Sequence, residues 1–200
     1  MPNESTGGFM NNVDMIVIGT SLGGLQALQT ILKALPAGFT TPIAAVQHRH
    51  RTSESILARH LQRSSAIPVC DAEDKAPIVS GRLYLAPADY HLMIEDGRFR
   101  LSTEGAVQYS RPSIDVLFES AADEYRARLL GIVLTGANAD GAVGVKAIKA
   151  RGGIVVVQKP EEAEAPEMPR AAKAAVTVDA LLSLDEIGPY LVGCCHAVVR

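Results

Sequence analysis

The stretch VIGTSLGGLQAL, residues 17–28, decides the fold. Just before and into it, Met15-Ile16-Val17-Ile18 is a short, β-branched apolar run, the signature of a buried parallel strand. After it, Leu22, Leu25, Leu28, Leu32 and Leu35 recur at helical spacing until Pro36 and Gly38 stop the pattern. The stretch therefore reads as strand, sharp glycine-flanked turn, helix. Ser21 stands on the turn, either as a displayed nucleophile or as a cap on a helix beginning at Leu22.

Outward from that turn, helix and strand patterns alternate to the end of the chain. The chain of 200 residues, 48% of them apolar, is long enough for one α/β domain with a sizeable core. Strand 14–18 and helix 22–35 are followed by an apolar run at Pro42–Val46 that breaks at Gln47-His48, and by a helix near 53–64. Between Val69 and Ser102 the texture changes: short β-like runs at Arg82–Ala86, Leu92–Glu95 and Arg98–Leu101 surround the hairpin signal Asp96-Gly97. The alternation then resumes with a helix at 113–127, a strand Leu130–Leu134, a helix at 141–150 and a strand Ile154–Val157. An acidic, proline-bearing loop at 159–169 and a last helix at 180–192 complete the order. Residues 1–12, rich in Gly, Asn and Ser, read as a flexible arm, which leaves 13–200 as the folded domain.

A formal net charge of −3, with no block of Lys or Arg, argues against a nucleic-acid partner. No apolar run is long enough to span a membrane, and the first residues lack the pattern of a signal peptide, so a cytoplasmic protein is expected. Cys70, Cys194 and Cys195 are an odd set in a chain too long to need staples and read as reduced structural thiols. No cofactor or metal motif is recognised.

In open α/β sheets ligands bind beyond the carboxyl ends of the strands, and three polar clusters fall there. Ser21 follows the first strand, Gln47-His48 ends the second, and Asn138-Ala139-Asp140 follows GIVLTG. A hydroxyl, an imidazole and a carboxylate so placed can form a nucleophile–base–orienter relay. Gly19-Thr20-Ser21-Leu22-Gly23 also fits the G-x-S-x-G elbow. A dinucleotide fingerprint would need glycine at position 21. The set Ser21, Asp140, His196 keeps the chain order of an α/β-hydrolase, but that fold places several strands before its nucleophile. Each residue has a plainer use: Asp140-Gly141 as a cap and turn, His48 as a surface residue, Arg111 in a salt bridge. On spacing alone, a serine hydrolase and a nucleotide-binding or catalytically silent α/β module both stay open.

Several stretches taken together are more specific. VIGTSLGGLQAL, VQHRH, LYLAPADYHLMI, RPSIDVLFESAA, GIVLTGANADGAVGVKAIKARGG and MPRAA resemble, in order and spacing, the catalytic domain of the chemotaxis receptor methylesterases (CheB), over residues 13 to 192. The resemblance implies a doubly wound, mostly parallel sheet with helices on both faces and a small antiparallel hairpin region. It also implies hydrolysis of γ-glutamyl methyl esters on the cytoplasmic helices of methyl-accepting chemoreceptors, with release of methanol, and deamidation of glutamines in many members. By motif, Ser21 matches the family nucleophile, His48 the base and Asp140 the carboxylate. The Leu22 and Ala137 amides match the oxyanion donors, Arg111 and Met168 fall at the substrate mouth, and His91, Pro169 and Arg170 lie at the periphery.

The sequence also departs from the family. Gln47-His48-Arg49-His50-Arg51-Thr52 stands where members commonly read Q-H-M-P-x-G-F-T, Ala137 replaces a usual methionine, and Leu22 a usual threonine. Positive charge at Arg49 and Arg51 is expected to disfavour the imidazolium of His48 if the side chains come close. Most members carry an N-terminal receiver domain, which residues 1–12 are too short to form. The regulatory partner is unknown. Asp140→Asn is expected to slow hydrolysis with little effect on the fold.

Overall fold

A computed structural model describes residues 13–49 and 56–195; the arm at 1–12, His50, Arg51 and His196 lie outside the described residues. Seven strands form one parallel sheet: β1 (Met15–Thr20), β2 (Ile43–Gln47), β3 (Val69–Asp71), β4 (Leu83–Leu85), β7 (Leu129–Val133), β8 (Ile154–Gln158) and β9 (Ala180–Leu182), in the order β3-β4-β2-β1-β7-β8-β9. From β1 the chain adds β2, then the edge strand β3 and, between β2 and β3, β4, before it returns to lay β7 on the other side of β1. The strand order thus reverses at β1, where a doubly wound sheet opens its ligand crevice. β5 (His91–Glu95) and β6 (Arg98–Ser102) pair antiparallel as a separate hairpin whose turn is Asp96-Gly97, both at positive φ.

Alternation along each buried strand supplies a core to both faces. In β1, Met15 and Val17 point into a cluster with α3 (Ile114–Tyr125), α4 (Ala142–Ala150), α5 (Glu167–Ala175) and the hairpin. Ile16 and Ile18 point the other way, against α1 (Gly24–Ala34), α2 (Leu57–Gln62) and α6 (Leu184–Cys194). The doubly wound α/β architecture expected from the sequence is present.

The element boundaries bring corrections. α1 starts at Gly24, two residues later than its leucine spacing suggests, because Gly23 turns the chain at φ 79°, a left-handed conformation that suits glycine. Leu22 and Leu25, part of the leucine spacing, are 54% and 38% exposed; Ala27, Leu28, Ile31 and Leu32 make the buried face. β3 and β9, three residues each, are edge strands too short to show alternation, and β9 occupies the start of the helix expected at 180. That helix begins at Leu184, behind a capping box in which the Ser183 side chain and the Glu186 side chain each serve the other's backbone. The acidic loop ends earlier than expected, because α5 starts at Glu167.

Candidate active site

The parallel register sets Thr20 of β1 beside Gln47 of β2, so the next residues, Ser21 and His48, leave the sheet side by side. The backbone on both sides of Ser21 is clamped. Its amide donates to Thr135 O at 3.0 Å, its carbonyl accepts from Gln47 Nε2 at 2.8 Å, and the His48 amide donates to Thr20 O at 3.0 Å. Thr135 Oγ1 donates to Leu22 O at 2.8 Å, and Thr20 Oγ1 donates to Thr135 O at 3.0 Å. Buried Thr20 and Thr135 thus hold the turn between β1 and β7. Among the described residues neither the Leu22 nor the Ala137 amide donates a hydrogen bond, and both residues are exposed.

Gly136 fits between Ser21 and α5. A Cβ there would run into Met168 Sδ and lie 2.9 Å from Ser21 Cβ. Met168 therefore does not stand at the mouth: its side chain is 1% exposed and backs Gly136 from below. Gly136→Ala is expected to destabilise the protein by about 1–3 kcal/mol by overpacking, and to shift Ser21. Thermal unfolding together with ester hydrolysis checks this, and an unchanged Tm would show that Met168 yields.

His48 Nε2 lies 2.8 Å from Asp140 Oδ2, with side-chain exposures of 12% and 0%. The carboxylate accepts everywhere: Oδ2 also from the Ile114 amide at 2.7 Å, and Oδ1 from Ser113 Oγ and the Asp115 amide, both at 2.9 Å. Burial pushes the Asp140 pKa up, but the hydrogen bonds from His48 and from the Asp115 and Ile114 amides outweigh it, so the group stays below its ordinary value. A lowered folded pKa makes its stabilising contribution present above the unfolded value of about 3.9 and lost as pH falls through the folded one. With Nε2 held by Asp140, Nδ1 is the imidazole nitrogen left to act as base; Asn138 Nδ2 lies 3.4 Å from it. The structure draws no hydrogen bond between Ser21 Oγ and His48.

His48 stands between two cavities. One, of about 640 Å³, is lined by Ser21, Leu22, Leu25, Gln26, His48 and Glu164. The other, of about 580 Å³, is lined by His48, Arg49, Asp89, Tyr109, Arg111 and Pro112. Arg111 lines this second cavity and pairs with Asp89 at 2.6 Å, while donating to the Thr103 and Glu104 carbonyls. Arg49 donates to Ala86 O at 2.7 Å and lies 3.5 Å from Asp71, so its charge is shared with a carboxylate.

Sequence reading placed His91 only at the periphery and missed Ser113 and Asp115, which with it hold the site from behind. His91, 2% exposed, accepts from the Ser113 amide at Nδ1, and Ser113 in turn donates to Asp140. Asp115, 3% exposed, accepts from the Gly141, Val143 and Gly144 amides at the start of α4. The signal for Ser113 and Asp115 was the stretch RPSIDVLF, in which they flank the first residue of α3.

Burial, with the negative charge of Asp140 and Glu119, raises the Asp115 pKa to about 6 against the pull of its backbone hydrogen bonds. A raised folded pKa gives stability that is full below about 3.9 and lost as pH rises through about 6. Asp115→Asn is accordingly expected to narrow the difference in Tm between pH 4.5 and pH 7.5. An unchanged difference would assign the pH dependence elsewhere.

An α/β domain whose strand-order reversal places a serine beside an imidazole–carboxylate pair has the layout of a hydrolase. The CheB methylesterase family matches residues 16–191, and the chain belongs to that family. A Leptospira interrogans protein assigned the paired name protein-glutamate methylesterase/protein-glutamine glutaminase is 48% identical over 182 residues, 90% of this chain and 94% of that one. Protein-glutamate methylesterase/protein-glutamine glutaminase 1 of Rhodospirillum rubrum is 38% identical over 89% of this chain but only 48% of its own length. The crystal structure of the Thermotoga maritima CheB methylesterase catalytic domain superposes with a TM-score of 0.86 at 31% identity, covering 91% of this chain and 98% of that one. The chain is thus an enzyme of the carboxylic ester hydrolase class. No helix among the described residues is long and apolar enough to cross a membrane.

Proposed function

We propose that the domain, residues 13–200, hydrolyses γ-glutamyl methyl esters on the cytoplasmic helices of chemoreceptors and deamidates glutamines at the same site. The observation that carries this reading is the placement of Ser21 beside a His48 whose Nε2 is held by buried Asp140, in a chain whose relatives are named for both reactions.

Ser21 Oγ attacks the ester carbonyl carbon as His48 Nδ1 takes its proton. The tetrahedral intermediate expels methoxide, which receives that proton and leaves as methanol, and the acyl-enzyme forms. Water then attacks by the same route and frees the carboxylate and Ser21. Asp140, accepting from Nε2–H, fixes the tautomer and stabilises the imidazolium. The uncommitted Leu22 and Ala137 amides are the donors available to the oxyanion. A Ser21–His48 bond not drawn in the structure is compatible with this, because such bonds commonly tighten only around substrate. The exposed Leu22 and Leu25 offer an apolar rim to a receptor helix. The domain works in the cytoplasm, where those receptor helices lie.

The test is release of methanol from methylated chemoreceptor by the purified chain, compared with Ser21→Ala. Equal release from both would refute the mechanism. Tight binding of a nucleotide without ester hydrolysis would favour a silent module.

A further inference from the structure

The N-termini of α3 and α4 are satisfied in an unusual way. Neither Ser113 nor Gly141, their capping residues, gives a side-chain hydrogen bond to its own helix. Each helix instead receives a carboxylate from the other. Asp140, next to the start of α4, accepts from the first amides of α3, and Asp115, in the first turn of α3, accepts at Oδ1 from Gly141 at 2.9 Å, Val143 at 3.1 Å and Gly144 at 2.7 Å. Its Oδ2 accepts from Gln108 Nε2 at 2.7 Å. Gly141 directly follows Asp140, so the peptide that Asp115 grips is the one that carries the carboxylate facing His48.

We propose that Asp115 is a positioning residue for ester hydrolysis: by fastening the first turn of α4 to α3, it fixes the Asp140 carboxylate against His48 Nε2. The proposal rests on the methylesterase reading above. Here a second carboxylate is buried beside Asp140 and Glu119, both of which oppose its ionisation. A single oxygen accepting three converging amides defines the loop more tightly than separate caps, and displacements of about 1 Å in such groups can cost roughly 10²-fold in rate.

The experiment measures kcat and KM on a soluble ester, together with the NMR signal of the His48 Nε2 proton, for the wild type, Asp115→Ala, Asp115→Asn and Asp115→Glu. Asp115→Ala should lose at least about tenfold in kcat with KM within about twofold, and its Nε2 proton should move upfield as the bond to Asp140 lengthens. Asp115→Asn keeps Oδ1 as acceptor, and Gln108 can turn its amide to present oxygen, so most of kcat and the proton signal should be restored. A folded Asp115→Ala with wild-type kcat and an unmoved signal would overturn the proposal, as would an Asn variant as impaired as Ala. Should the Ala variant fail to fold, Asp115→Glu decides: it keeps the charge but displaces the acceptor by a methylene, so a wild-type kcat would overturn the role. A wild type with no Ser21-dependent hydrolysis would instead be the failure of the methylesterase reading.

Discussion

Ser21→Ala is expected to lower methanol release from methylated receptor by at least ~10³-fold and to leave thermal unfolding close to that of the wild type. The two halves of this expectation have separate physical grounds. Among the described residues Ser21 Oγ has no hydrogen bond to lose, and what holds the turn is the Ser21 amide and carbonyl, which alanine keeps. The rate falls because no other hydroxyl stands at that point, while the uncommitted amides and the imidazole remain to give a small residual activity. Circular dichroism alongside methanol assays checks both. A rate within tenfold of the wild type would move the nucleophile elsewhere.

The second large effect comes from Asp140, and here the structure corrects the expectation that Asp140→Asn spares the fold. Both carboxylate oxygens are surrounded by donors: Ser113 Oγ and the Asp115 amide at Oδ1, His48 Nε2 and the Ile114 amide at Oδ2. An amide NH₂ in either position points a donor at donors. The substitution should therefore cost about 1–3 kcal/mol of stability. If the NH₂ faces His48, the imidazole is driven to its other tautomer and hydrolysis drops by about 10³–10⁴-fold. Denaturant unfolding and single-turnover hydrolysis separate the two losses. A variant as stable as the wild type would mean that the first turn of α3 relaxes to readmit water.

The strands, the two-faced core and the strand-end clusters were legible because β-branched runs and glycine-bearing turns are local signals. Ser21, His48 and Asp140 could be placed at strand ends from the same signals. What was not legible depends on contacts between distant segments. Leu22 and Leu25 have helical spacing in the sequence, but Gly23 delays the helix and turns them to solvent. Met168 could be assigned to the region but not to its depth, since its burial depends on the missing side chain of Gly136. β3 and β9 are paired at the sheet edges by neighbours rather than by their own pattern. His91, Ser113 and Asp115 serve the site through hydrogen bonds that span 22 to 29 residues. No periodicity encodes such a network.

The reversal of strand order at β1 also bears on when hydrolytic competence arises. Ser21 and His48 lie within the first quarter of the chain, whereas the Asp140 carboxylate arrives only after β7 has docked on the far side of β1. Ser21 and His48 follow two neighbouring strands, whereas the counter-charge on the imidazole comes from the loop after β7. Long-range closures of this kind come late in folding, because the loop entropy must be spent before the contacts form. The carboxylate beside His48 is thus supplied by the half of the sheet that closes on the first from the other side of β1.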